Sequence, residues 1–266
     1  MRVPAAANRF YPADEDEVRW SIEKCFRDGP GLPGPRTGDA VKAAVVPHAG
    51  YIFSGVCAAY AFKRLAEARR PEAYIVIGPD HYGNGYRASM CSEEYWTPFG
   101  PCEVAYELVA ALSNDIPDVP SAHAREHSIE VELPFLKYID PDARIVPIIM
   151  GDQRREAAEK LASQIRNACE GMDVVVIASS DLVHYVPKDY AERADRDFMG
   201  AVGAMDVDSI YSQVARERLS VCGYGPIAAA ILSTRPSRSE VLCQTDSSAS
   251  GYEMESVVGY GSAIMY

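Results

Sequence analysis

The sequence contains five histidines, and three of them stand where a predicted buried strand ends. These three are His48, His81 and His184. A proline comes shortly before His48 and before His81, and proline has no amide hydrogen to continue a sheet ladder. In open α/β sheets, ligands bind beyond the carboxyl ends of the strands. The spacing therefore predicts three imidazoles at one rim of a sheet, forming a metal site or an acid–base site.

The other two histidines differ in their setting. His127 lies at the start of a predicted helix, and we expect it at the same rim. His123 follows no strand and begins no helix, so the sequence predicts a surface loop residue at that position.

Cys222 is the second kind of candidate ligand. It precedes a predicted helix with Gly225 as its cap and Pro226 at its first position, and a helix N-terminus favours a thiolate. A thiolate with neutral imidazoles suits iron, copper or zinc, whereas magnesium and calcium prefer oxygen ligands. From spacing alone, however, a small buried thiol is the simpler interpretation of this cysteine.

Four carboxylates accompany the histidines. Asp80 and Asp181 could orient histidine rings by hydrogen bonding, or could cap the helices that follow them, and the sequence leaves both interpretations open. Glu126 and Glu130 could be oxygen ligands. An acidic pair at a helix start, however, more often only complements the positive end of the helix, for which Ser128 is the predicted N-cap.

Alternating strands and helices must position these residues. Strands are predicted at residues 41–46, 73–77, 144–150 and 173–178, with helices over 54–69, 103–114 and 153–169. Residues 87–91 read as an edge strand and residues 95–100 as an aromatic turn. Helices over 189–205 and 208–216, and strands over 239–245 and 256–264, complete the pattern. This order is typical of an α/β fold with parallel strands, in a single domain over residues 1–266.

Composition narrows the class of protein. The chain has 266 residues, of which 48% are hydrophobic, enough for one sizeable core. A net charge of −12 without a run of basic residues argues against nucleic acid as a binding partner. The apolar runs are too short to predict a membrane-spanning helix. The seven irregularly spaced cysteines and the lack of a hydrophobic signal core predict reduced thiols in the cytoplasm.

Five sequence blocks, in order along the chain, resemble the signature blocks of the Memo family. This family includes the mediator of cell motility in animals and AmmeMemoRadiSam system protein B in prokaryotes. The blocks are residues 47–51, 78–81, 126–130, 179–184 and 222–226. The resemblance implies a three-layer α/β/α sandwich with a largely parallel, mixed central sheet, similar to class III extradiol dioxygenases, which bind Fe(II) through two histidines and one glutamate.

The resemblance also implies roles for individual residues. The expected metal ligands are His48, His81 and Cys222. His184 matches the catalytic histidine, and His127 and Asp181 are expected to line the same pocket. The implied cofactor is one transition metal ion, Fe(II) or copper, with zinc as another option. The implied partners are a small-molecule substrate or O₂, together with partner proteins of the same prokaryotic system.

Two departures from the family pattern limit what can be carried over. Animal members have Arg-His where this chain has Tyr224 and Gly225, so their peptide recognition is not expected here. A cysteine also replaces the usual carboxylate ligand. Because a thiolate donates more charge and can itself be oxidised, simple catechol cleavage is disfavoured.

The sequence therefore supports three hypotheses. The leading one is a cytoplasmic metal-dependent redox enzyme related to the extradiol dioxygenases. The second is a metal-free thiol enzyme of hydrolytic type, with Cys222 as nucleophile and His184 or His127 as base. The third is a non-catalytic module that binds a peptide or partner through a rim of aromatic residues. That rim would consist of Tyr51, Tyr82, Trp96, Phe99, Tyr185 and Tyr224.

Overall fold

The computed structural model describes residues 1–252 and 255–266. The strands are β1 Ala43–Val46, β2 Ala73–Pro79, β3 Ala88–Met90, β4 Tyr95–Thr97, β5 Gly100–Val104, β6 Arg144–Met150, β7 Val174–Ser179, β8 His184–Val186, β9 Ser239–Asp246 and β10 Val257–Met265. The helices are α1 Glu15–Asp28, α2 Tyr51–Glu67, α3 Tyr106–Leu112, α4 Pro120–His123, α5 Glu132–Ile139, α6 Arg155–Ala168, α7 Lys188–Gly203, α8 Val207–Glu217 and α9 Tyr224–Thr234.

A mixed sheet forms the middle of the molecule, in the order β4-β5-β6-β2-β7-β1-β10-β8. Neighbouring strands from β5 to β1 pair in parallel, whereas β4, β10 and β8 pair antiparallel with their neighbours. Strand β3 joins β6, and β9 joins β10. The largely parallel, mixed central sheet that the sequence predicted is thereby confirmed.

Helices cover both faces of this sheet because successive strand residues point to opposite sides. In β1, Ala43 and Val45 belong to the hydrophobic cluster that includes α3, α6, α7, α8 and α9, whereas Ala44 and Val46 belong to the cluster that includes α1, α2 and α5. The three-layer α/β/α arrangement is therefore confirmed. Among the described residues, no helix combines the length and the apolar character that crossing a bilayer requires.

Three local predictions were wrong. Residues 95–100 are not a simple turn: β4 and β5 form a hairpin there, and Gly100 takes the left-handed φ of 91° that its tight turn requires. Helix α5 begins at Glu132, so Ser128 is not the N-cap of that helix. The Ser128 hydroxyl instead donates to the carbonyl oxygen of Pro79 at 3.0 Å. His123 is fully buried at the end of α4, and its ring contacts the Tyr95 hydroxyl and the Ser89 carbonyl.

The N-terminal segment is tied to residues 123–130 by a buried arginine. Arg2 forms an ion pair with Glu130 at 2.6 Å, and both side chains are at most 3% exposed. Its guanidinium also donates to the carbonyl oxygens of His123 and Glu126, at 2.8 and 2.6 Å. Glu130 in turn accepts hydrogen bonds from the Ala5 and Ala6 amides and the Tyr11 hydroxyl. Glu130 is thus a structural residue that anchors the N-terminus, and its oxygens are already occupied.

We expect Glu130→Gln to lower the free energy of unfolding by about 3–5 kcal/mol, because it leaves the Arg2 charge buried without its partner. Chemical denaturation monitored by circular dichroism measures the change. The matched control is Glu159→Gln, which removes an exposed carboxylate paired with Arg155 and should cost less than about 1 kcal/mol. Equal effects of the two substitutions would contradict the role assigned to Glu130.

Candidate metal centre

Two imidazoles and one sulfur meet at the rim of the sheet. One ligand atom from each of His48, His81 and Cys222 lies within 4.8 Å of the other two. His48 Nε2 is 3.4 Å from Cys222 Sγ, and the two histidine ring centres are 5.2 Å apart. Residues separated by up to 174 positions in the sequence therefore share one point of the structure.

The strand order explains this meeting. His48 follows β1 and His81 follows β2, and both strands pair in parallel with β7, so all three release their chains at the same edge. Cys222 arrives on the segment that leads into α9, where its amide donates to the carbonyl oxygen of Asp181 at 3.3 Å. Gly223 allows this close approach, since a Cβ atom there would lie 2.5 Å from the Ser179 carbonyl oxygen.

His48 is buried and neutral. Its Nδ1 lies 2.7 Å from Ser179 Oγ, which leaves Nε2 facing the sulfur. Burial, reinforced by the neighbouring histidines His81, His127 and His184, holds the pKa of His48 well below its ordinary value. A neutral imidazole is the form that binds metal ions.

His81 is oriented by Glu126. The carboxylate of Glu126 accepts hydrogen bonds from the His81 amide at 2.7 Å and from His81 Nδ1 at 2.9 Å, so Nε2 of this ring is free as well. Burial opposes both charges, but the bond and the opposite charge of Glu126 raise the pKa of His81, while His81 lowers the pKa of Glu126 to about 2. Carboxylates that bind a ligand histidine in this way fix its tautomer and raise its basicity.

The sulfur of Cys222 lies between a donor and an acceptor of Asp181, whose carbonyl oxygen is 3.5 Å away. The Asp181 amide points at the sulfur from 3.1 Å, and the Ser180 hydroxyl lies at 3.9 Å. Burial raises the pKa of the Cys222 thiol well above its usual value, and the nearby Asp181 adds to this. Helix α9 begins at Tyr224 with Gly223 as its N-cap, so the predicted cap at Gly225 was wrong. Burial opposes the thiolate that a helix N-terminus favours.

The three predicted pocket residues lie around this centre. The His127 ring stacks on His81 and on Phe10, each with 4.6 Å between ring centres, and burial lowers the pKa of His127 to about 4. Asp181 accepts hydrogen bonds from the His48 and Ala49 amides at 2.8 and 3.3 Å, and burial raises its pKa to about 7. It neither caps a helix nor contacts a histidine ring nitrogen.

His184 is held by its own partner rather than by the other histidines. Its Nδ1 lies 2.9 Å from the Ser220 carbonyl oxygen, an acceptor, so Nδ1 carries the hydrogen and Nε2 is left with a free lone pair. Burial lowers the pKa of His184, and its protonation is electrostatically coupled to His48 and His81. The lowered pKa favours the neutral form of the ring.

The remaining candidates have structural tasks. Asp80 accepts hydrogen bonds from the amides of Tyr82, Gly83 and Asn84, which stabilises the turn after β2. His123 is bonded within the core, as described above. Glu126 also accepts hydrogen bonds from the amides of His127 and Ser128 at 2.8 and 2.9 Å, which stabilises the loop that precedes α5.

Sequence reasoning missed two residues at the centre, Ser179 and Glu132. Ser179 ends β7 and contacts His48, and Glu132 lies 3.0 Å from the Ser179 hydroxyl with only 1% of its surface exposed. A carboxylate placed among the apolar residues Val131 and Leu133 was the available signal, since such a residue is rarely buried without a specific partner.

The arrangement suits a transition metal ion. Ligand bonds of about 2.0–2.3 Å in a tetrahedral site place neighbouring ligand atoms roughly 3.5 Å apart, and His48 Nε2 and Cys222 Sγ are 3.4 Å apart. Two nitrogens and a sulfur are ligands of iron, copper and zinc rather than of magnesium or calcium. A second group, His81, Glu126 and His127, is also compact, but Glu126 is already occupied by backbone amides.

Comparison with known proteins agrees with the sequence blocks. Residues 2–264 match the family of Memo-like proteins. A MEMO1 family protein of Methanopyrus kandleri is 39% identical over 99% of this chain and 98% of its own length. One from Methanosarcina barkeri is 38% identical over the full length of both.

Among solved structures, an uncharacterised protein of Escherichia coli K12, JW3007, shares the fold with a TM-score of 0.51 at 12% identity, covering 85% of this chain and all of that one. This likeness bears on the fold alone. The family match and the identity over the whole chain show that this protein belongs to the Memo family.

Proposed function

We propose that this protein is a metal-dependent redox enzyme with one iron or copper ion, or zinc as another option, held by His48, His81 and Cys222. The observation that carries the proposal is the convergence of these three ligand atoms within 4.8 Å. Iron or copper would supply an electron-transfer centre for O₂ or a small-molecule substrate, whereas zinc has no redox chemistry and would supply only a Lewis acid. The substrate is not identified.

The surrounding residues support this proposal because each prepares a ligand. Glu126 forms its hydrogen bond with Nδ1 of His81, which leaves Nε2 of that ring for the metal ion. The Asp181 amide, 3.1 Å from Cys222 Sγ, would stabilise negative charge on the sulfur if a bound metal ion displaced the thiol proton to solvent. Both are interactions that tune a metal ligand from outside the coordination sphere.

His184 is the proposed proton-transfer residue. Its Nδ1 hydrogen is committed to Ser220, and its Nε2 can accept a proton from substrate and return it. His127 and Asp181 complete the pocket. Asp181, with a pKa of about 7, is a second group that can change its charge near neutral pH.

The metal-free thiol enzyme is less well supported. A cysteine nucleophile needs a lowered pKa, and burial raises that of Cys222. His48 Nε2 lies next to the sulfur, but burial also keeps this imidazole from holding a proton. The pair therefore does not form a thiolate–imidazolium couple in the absence of a metal.

We further propose a reducing, cytoplasmic setting and partner proteins from the same prokaryotic system. Within residues 1–252 and 255–266, the cysteines Cys25, Cys57, Cys91, Cys102, Cys169, Cys222 and Cys243 are free thiols. Free thiols are typical of a reducing compartment. The partner proteins are proposed from the family resemblance.

The metal assignment is tested by anaerobic purification and elemental analysis. We expect about one metal ion per chain in the unmodified protein and a loss of at least nine-tenths of it in His48→Ala and Cys222→Ser, because each removes a ligand. Cys169→Ser, a cysteine outside the centre, should retain the metal. Undiminished metal in both ligand variants would reject the site.

The role of Glu126 is tested by metal affinity. Glu126→Gln should weaken binding by about 10–100-fold, because His81 loses the negative charge on its hydrogen-bond acceptor. Asp80→Asn is the matched control. It removes a neighbouring carboxylate that does not contact the ring, and asparagine can still bond the turn amides, so affinity should change less than about threefold. Similar losses in both variants would mean that net charge, not the bond to His81, matters.

The thiol-enzyme alternative is tested by alkylation. In metal-free protein at neutral pH, we expect iodoacetamide to modify Cys222 more slowly than a solvent-exposed model thiol, because burial raises its pKa. Peptide mass spectrometry measures the rate. Rapid and selective labelling of Cys222, with an activity that survives chelation, would support the cysteine enzyme instead.

A further inference from the structure

The hydroxyl of Ser179 makes more contacts than one hydrogen can serve. Its oxygen lies 2.6 Å from the Ser128 carbonyl oxygen, 3.0 Å from Glu132 Oε1 and 2.7 Å from His48 Nδ1. A serine hydroxyl donates one hydrogen bond and accepts two. The directions of these three bonds can therefore be worked out by counting hydrogens.

The carbonyl oxygen of Ser128 can only accept, and it is the nearest of the three partners. The single hydroxyl hydrogen must point at it, since two oxygens 2.6 Å apart without a hydrogen between them repel each other. Both remaining partners must then donate to Ser179. This places a hydrogen on Glu132 Oε1 and another on His48 Nδ1.

The surroundings of Glu132 agree with a neutral carboxyl group. The side chain is 1% exposed, and no ion pair involves it in the part of the chain that the structure describes. Burial raises the pKa of Glu132 well above its ordinary value; the hydrogen bond with Ser179 acts in the opposite direction, and the nearby Asp181 adds to the rise. An uncompensated buried carboxylate would be costly, whereas a carboxylic acid can donate a hydrogen bond.

We propose that Glu132 is a positioning residue that acts as a neutral carboxylic acid: it donates to Ser179 and so keeps the Ser179 oxygen available as an acceptor for His48 Nδ1–H. His48 is thereby held in the tautomer whose Nε2 lone pair faces Cys222 Sγ. Among the described residues, Glu132 bonds Ser179 and forms no hydrogen bond with His48, so it acts through the serine. The assignment of Nε2 as a metal ligand rests on the proposed function, but the protonation and the tautomer do not.

The first test is infrared spectroscopy of the metal-free protein at about pH 8, where the C=O stretch of a carboxylic acid is separate from that of carboxylates. We expect one carboxylic acid band that disappears in Glu132→Gln. The control is Asp195→Asn, another buried acid whose pKa of about 7 makes it ionised at this pH, so the band should persist there. A spectrum unchanged by Glu132→Gln would show that Glu132 is ionised and overturn the proposal.

The second test is the tautomer of His48, read from the ¹⁵N chemical shifts of its ring in metal-free protein. Wild type and Glu132→Gln should both show hydrogen on Nδ1, because the glutamine amide donates to Ser179 as the acid does. Glu132→Leu and Ser179→Ala should both show a population with hydrogen on Nε2. If Glu132→Leu left the tautomer of His48 unchanged, Glu132 would have no positioning role.

Metal affinity then separates the two proposals. If the proposed function holds, Ser179→Ala and Glu132→Leu should each bind the metal about 10–100-fold more weakly than wild type, whereas Glu132→Gln should stay within about threefold. If the wild-type protein binds no metal, the function fails while the infrared and ¹⁵N results still decide the state of Glu132. Affinities equal to wild type in the leucine and alanine variants, beside metal-binding wild-type protein, would overturn the proposed effect on His48.

Discussion

The carboxylate of Glu126 is the interaction on which the site depends. The carboxylate accepts hydrogen bonds from three backbone amides and from the His81 ring. The backbone carbonyl oxygen of the same residue accepts a hydrogen bond from Arg2. A buried charge is tolerated only when donors surround it in this way. By accepting from these donors, Glu126 fixes the end of β2 against the loop that carries His127, and the positions of the His81 and His127 rings follow from that constraint.

The two ligand histidines are prepared by different means. His81 is partly exposed and its ring is hydrogen-bonded to the charged Glu126, whereas His48 is almost completely buried and its ring is hydrogen-bonded to the neutral Ser179. A negative charge behind one ring and a neutral group behind the other give the two nitrogens unequal basicity. For the proposed metal ion, this asymmetry would give a more basic ligand in His81 while limiting the number of charges that must be buried around His48.

Much of the fold could be predicted from the sequence because the buried strands are continuous apolar runs, and such runs are typical of parallel sheets. The exits of β1 and β2 followed directly from Pro47 and Pro79. The hairpin formed by β4 and β5 could not be predicted, because its strands are very short and pair locally around Gly100. His123 was misplaced for another reason: its partners Tyr95 and Ser89 come from distant strands, and burial by tertiary contacts leaves no local pattern.

The candidate site shows the same division. The positions of the histidines predicted a cluster of imidazoles. Glu126 was considered only as a metal ligand or as a charge that complements a helix dipole, and neither Ser179 nor Glu132 was predicted at the site. Their importance depends on which hydrogen points where, and this is decided by distances across the sheet rather than by spacing along the chain. The Cys222 thiol is a similar case, since its desolvation depends on packing against the segment around Asp181.

The order of the ligands along the chain has a consequence for assembly in the cell. His48 and His81 are 33 residues apart and lie on neighbouring βα units, whereas Cys222 follows 141 residues after His81. A ribosome releases the chain from its N-terminus, so both imidazoles emerge long before the sulfur does. The three side chains are therefore all present only after residue 222 has been synthesised, so the proposed metal ion would be acquired by a nearly complete chain rather than by a short nascent one.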